Sequence, residues 1–171
     1  MRKLLKKAWL WLIIIVVSAS VWLIAFYWAS QPSSADSFEV WVGAAEDIVG
    51  DELSAQLNQI CSGYGIKKFT VRNYNPDDYF YPQAFALRAR NVEIYILSRD
   101  EALPIAETGL FRVIEQDYGQ NTLEYDGKTV GVEYTDDYFV FINGTSKKDS
   151  ELLFKVFNAI INYEVDNEQK G

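Results

Sequence analysis

The residues able to do chemistry in this 171-residue chain sit in short polar runs that follow apolar ones. Gly43-Ala44-Ala45-Glu46-Asp47 follows Phe38–Val42, and Ser98-Arg99-Asp100-Glu101 follows Val92–Leu97. Tyr79-Phe80-Tyr81 is an aromatic cluster, and Tyr134-Thr135-Asp136-Asp137 separates two further apolar runs. The candidates for ligand contact are Ala44, Glu46, Tyr81, Ser98, Arg99, Tyr134 and Asp136. Glu46 can meet a cation or a sugar hydroxyl, or complement a helix dipole as a first-turn carboxylate. Arg99 can pair with an anion, whereas Ser98 with Glu101 also matches a helix-capping box. Tyr79–Tyr81 offer a stacking platform unless they enter the core. Tyr134 and Asp136 suit a partner surface or a plain polar turn. Asp77-Asp78 and Asp136-Asp137 lack the spacing of a calcium loop, and no metal or cofactor is expected.

The elements that must hold these residues follow from periodicity. Phe38–Val42 alternates and reads as a first strand. Leu53, Leu57, Ile60 and Cys61 mark one face of a helix that Asp47 or Gly50-Asp51 can cap, and Ser62–Gly65 ends it. Ile66–Val71 reads as a second strand and Tyr79–Arg90 as a second helix, with Pro82 in its opening turn. Val92, Ile94 and Ile96 form one face of a third strand, and Ser98 opens a short helix stopped by Gly109. Asp117–Asp126 is loop-like. Thr129–Glu133 and Tyr138–Ile142 are strands, and Asn143-Gly144 is a turn that also matches a glycosylation sequon. From about Ser150 a last helix carries Leu152, Leu153, Val156, Phe157, Ile160 and Ile161 as an apolar stripe.

This order predicts an α/β fold: one open, mostly parallel sheet of about five strands with helices on both faces. Ligands of such sheets bind beyond the carboxyl ends of strands, here Gly43–Asp47, Asn73–Asp78 and Ser98–Glu101.

Ala8–Ser30 holds no charged residue and follows Arg2, Lys3, Lys6 and Lys7. As a helix it would reach roughly 35 Å, more than a bilayer core of about 30 Å. Trp9, Trp11, Trp22, Tyr27 and Trp28 fall towards its two ends, where headgroups favour such rings. The organisation expected is a basic cytoplasmic tip (1–7), a single membrane span (8–30), a linker (31–37), an extracytoplasmic domain (38–165) and a tail (166–171). The alternative is a cleaved leader ending at Ser33-Ser34-Ala35, although the apolar run exceeds the usual 7–15 residues.

All 24 carboxylates lie beyond residue 30 with 12 of the 16 basic residues, leaving that part at −12. This balance argues against nucleic acid as a partner. The absence of histidine excludes His-based triads, Cys–His pairs and His-containing metal sites. Lone Cys61 cannot form an internal disulfide and reads as a small buried thiol.

Three stretches resemble extracellular solute-binding proteins. VEIYILSRDEALPIAETGLFRVI (92–114) is similar to that family's strand, short helix and Gly-hydrophobic turn. DGKTVGVEYTDDYFVFIN (126–143) resembles its next strand pair, with Glu133 where the family usually has proline. VRNYNPDDYFYPQAFALRA (71–89) resembles its second strand and helix. The family has two lobes, but here Asn143-Gly144-Thr145-Ser146 leads straight to a helix like the one that closes the first lobe. The resemblance implies a single lobe with the other missing.

The function expected is a membrane-anchored extracytoplasmic binding or interaction module, non-enzymatic, whose partner is a protein or a small solute. One alternative is a transporter-associated receptor that completes its cleft by dimerisation. A second is a carboxylate-dependent hydrolase.

Overall fold

A computed structural model describes residues 2–30, 33–119, 121–135 and 137–168. The chain divides into two compact units, Met1–Ser33 and Ser34–Gly171.

The first unit is helix α1, Arg2–Ser30. Its side chains from Trp11 to Ile24 are exposed. Among the described residues no helix is long and apolar enough to cross a membrane. Within the span expected over Ala8–Ser30 only some of the side chains are described.

The second unit is an α/β domain built on one open, mixed, six-stranded sheet. Its strands are β1 (Ser37–Gly43), β2 (Lys68–Tyr74), β3 (Ile94–Ser98), β4 (Thr122–Tyr125), β5 (Lys128–Thr135) and β6 (Tyr138–Ile142). Helices α2 (Gly50–Gly63), α3 (Tyr81–Arg88), α4 (Arg99–Ala106) and α5 (Ser150–Glu168) complete it. The strand order is β2-β1-β3-β6-β5-β4.

The sheet is therefore not mostly parallel. β1 pairs in parallel with β2 and β3, because a helical crossover returns each strand in the same direction. β6 then runs antiparallel to β3, and β4, β5 and β6 form an antiparallel meander. Short turns join these last strands, and a short turn permits only antiparallel pairing. Asp126 and Gly127 between β4 and β5 both take positive φ, 51° and 69°. That is the geometry an Asp-Gly hairpin favours. β4 lies in the stretch expected to be loop-like. Only Leu123 of β4 is fully buried, so the local pattern carried little strand signal.

Alternation along β1 sends successive side chains to opposite faces. Phe38, Val40 and Val42 join Leu53 and Leu57 of α2 and Leu153 and Phe157 of α5 in one core. Trp41 turns the other way into a core with Tyr95, Leu97, Phe141 and Ala102 of α4, against which Phe85 of α3 packs. Helices thus cover both faces. The stripes expected on α2 and α5 are the buried ones, and Cys61 lies inside the first core.

Local signals at the helix starts are realised with small shifts. Asp47 Oδ1 accepts the N–H groups of Val49 and Gly50, both at 3.2 Å, one turn ahead of α2. The second strand starts later than expected, at Lys68, and α3 is shorter than Tyr79–Arg90. Asn143, expected as a turn and a sequon, is fully buried and ties β6 to the start of β3. Its amide is engaged inside the fold.

Candidate functional site

The parallel strands β1, β2 and β3 all finish at one edge of the sheet, at Gly43, Tyr74 and Ser98, where β6 begins at Tyr138. Trp41 near the end of β1 stacks on Tyr74 at 3.8 Å between ring centroids. Its indole Nε1 donates to Tyr81 Oη at 3.3 Å. Tyr81 is half-buried at the start of α3, and burial, opposed by the indole bond and reinforced by Glu101, raises its phenol pKa.

Glu101 belongs to the cap of α4. Its Oε2 accepts from Ser98 Oγ at 2.9 Å, and Ser98 Oγ in turn accepts the Glu101 N–H at 3.4 Å. The capping box read from the sequence is formed. Glu101 Oε1 is shielded from solvent beside the Tyr81 hydroxyl and closes no well-formed hydrogen bond. Gly43 makes this arrangement possible: a Cβ there would lie 2.7 Å from Tyr81 Oη, 2.8 Å from Leu97 Cδ2 and 3.2 Å from Glu101 Oε1. Tyr138 faces the same edge, its pKa raised by burial and then by the charges of Glu101, Asp137 and Glu46. The edge therefore presents a phenol and a carboxylate in contact, with both roles of the Ser98 hydroxyl taken by the cap.

The structure brings Tyr81 and Ser98 together around Glu101. It places the remaining candidates otherwise. Ala44 is buried in the α2–α5 core. The Glu46 side chain is exposed, while its carbonyl accepts from Asn73 Nδ2 at 3.0 Å and links the ends of β1 and β2. Arg99 is exposed. Tyr134 is buried on the opposite face and donates to the Ile48 carbonyl at 2.9 Å. Asp136 lies outside the described residues. Tyr79 and Phe80, between β2 and α3, are 80 % and 67 % exposed and meet edge to face at 5.2 Å.

A cavity of about 860 Å3 opens at the other edge, among residues that precede β1, β2 and β3 and follow β6. None of the sequence candidates lines it. Glu93 does, although it is only 7 % exposed. Its carboxylate accepts the Glu39 N–H at 2.6 Å. Burial lifts its pKa to about 7, against the opposing pull of that bond and of Lys148. The signal for Glu93 was available in the sequence: a carboxylate interrupting the apolar run Val92–Leu97. Glu101 was legible only as a cap, and Gly43 only as a turn.

Among the described residues no group of three or more carboxylates or thiols could hold a metal ion. No protein-family model matches the sequence, and no curated protein matches it.

Proposed function

We propose that this chain is a membrane-anchored, extracytoplasmic binding module that resembles one lobe of a solute-binding protein and engages a protein partner through the carboxyl edge of its sheet. The observation that carries this reading is the exposure of Tyr79 and Phe80 at that edge. Two large aromatic side chains left in water beside the polar ends of the strands are the kind of surface that a partner covers. The basic residues Arg2, Lys3, Lys6 and Lys7 at the start of α1, ahead of its exposed apolar side chains, support the anchor and its orientation. No enzymatic role is assigned: the Ser98 hydroxyl is committed to its cap.

The test is a photo-crosslinking residue placed at Phe80 in the native host, with Lys155 on α5 as the control position. A discrete protein adduct from position 80 and none from position 155 supports the reading. Equal or absent adducts at both positions would defeat it.

A small-solute receptor that completes its cleft by dimerisation is the second reading, and the Tyr81–Glu101 contact beside Gly43 favours it. It requires concentration-dependent dimers and ligand-dependent melting of Ser34–Gly171. A solute at 100 times its dissociation constant adds about 2.7 kcal/mol.

A further inference from the structure

The cavity at the amino edge combines features that the carboxyl edge lacks. Its floor is apolar, with Ile66, Val92 and Leu152, and one buried carboxylate, Glu93, opens onto it. Among the described residues no lysine or arginine nitrogen reaches that carboxylate within ion-pair distance. Lys148 is nearby, but its Nζ donates to the carbonyls of Ser34 at 2.9 Å and Ala35 at 2.6 Å. Glu93 accepts from the neutral Glu39 N–H, and a carboxylate this far from water is costly to ionise without a charged partner. At the rim, Arg90 and Lys147 are exposed, and neither has an acidic partner among the described residues. Asp149, also on the rim, accepts the Glu151 N–H at 2.8 Å. The cavity thus asks for positive charge at its floor and negative charge at its mouth, with apolar surface between.

We propose that this cavity binds a small zwitterion, an amino acid or short peptide with an apolar side chain, whose primary ammonium pairs with Glu93 and whose anion meets Arg90 and Lys147. Glu93 already accepts the Glu39 N–H, and an ammonium supplies the charged partner within ion-pair distance that it lacks among the described residues, while the apolar side chain lies on Ile66 and Leu152. A volume of this order is within the usual range for small-molecule sites. The site is independent of the carboxyl-edge surface, and either can fail alone. A zwitterionic lipid headgroup offers the same ammonium and anion, so the test separates the two sources.

The full chain in a neutral sugar detergent is titrated calorimetrically with leucine and dileucine, then with N-acetyl-leucine, which lacks the ammonium, and leucinamide, which lacks the anion. The expected result is saturable binding of leucine or dileucine, with both blocked analogues weaker by about tenfold or more, the scale of one charged hydrogen bond. Glu93→Gln removes the preference for a free ammonium, and the double variant Arg90→Ala/Lys147→Ala removes the preference for a free carboxylate. The rim residues are exposed, so the double variant keeps the test decisive if Glu93→Gln folds poorly. Bicelles of phosphatidylethanolamine against phosphatidylcholine form the lipid arm. Glu93-dependent binding confined to the former assigns the same chemistry to a headgroup. No saturation by leucine, dileucine or phosphatidylethanolamine overturns the proposal. So does wild-type affinity and selectivity in both variants.

Discussion

The side-chain amide of Asn143 donates to the carbonyl of Val92 at 2.5 Å and to that of Ala89 at 3.1 Å. Its Oδ1 accepts from both the N–H and the hydroxyl of Thr145 at 2.8 Å. One buried side chain therefore joins the end of β6, the start of β3 and the turn that leads to α5. Asn143→Ala strands buried carbonyls without a donor and should cost about 3 kcal/mol. Urea melts of the variant against wild type measure this; a loss below about 0.5 kcal/mol would mean water replaces the amide.

Gly43→Ala tests the packing of the carboxyl edge. The new methyl must displace Tyr81 Oη, Leu97 or Glu101, and overpacking of this kind costs about 1–3 kcal/mol. The Trp41 emission should change with it, because the indole bond to Tyr81 lies beside the methyl. An unperturbed spectrum with wild-type stability would show that the edge takes up the methyl without disturbing the Trp41–Tyr81 pair.

Glu93 sets a pH dependence of known sign. Burial raises its pKa from 4.5 in the unfolded chain to about 7, so between those values the folded state holds a proton that the unfolded state has released. Its contribution is full below about pH 4.5 and is lost as pH rises through about 7, a swing of about 3 kcal/mol. The groups facing it that enter this balance are Glu39 and Lys148. Stability measured at about pH 5 and about pH 8, taken as wild type minus Glu93→Gln, isolates the effect. A flat difference would show that the carboxylate is paired at both values.

Cys61 should be inert in the folded protein. The thiol is buried in the α2–α5 core, and burial pushes its pKa up to about 12. Thiol-specific labelling should follow global unfolding in denaturant and be negligible in buffer. Rapid labelling of the native protein would place an opening motion at α2.

The elements with a strong period were legible because their local pattern and their tertiary role agree. The α2 and α5 stripes, the alternation of β1 and the Ser98–Glu101 box each face what their spacing implies. β4 was hidden because its partner strand, and not its own residues, supplies most of its reason to be extended. Among the site residues, Tyr81 and Ser98 stand at the strand ends where open α/β sheets bind ligands. Tyr134 does not join them, since one position along β5 decides which face a side chain takes.

The sequence alone determined the α/β class, the Ser98–Glu101 capping box, the buried stripes and the exclusion of histidine chemistry, because each depends on residues near one another in the chain or on composition. The tertiary structure decided the mixed strand order, the contact between Tyr81 and Glu101, and the placement of Glu93 on a cavity. These join segments far apart in sequence, such as Glu39 with Glu93 and Val92 with Asn143. Their pairing is a property of the packed sheet, where the cost of burying a polar group selects the one partner in reach.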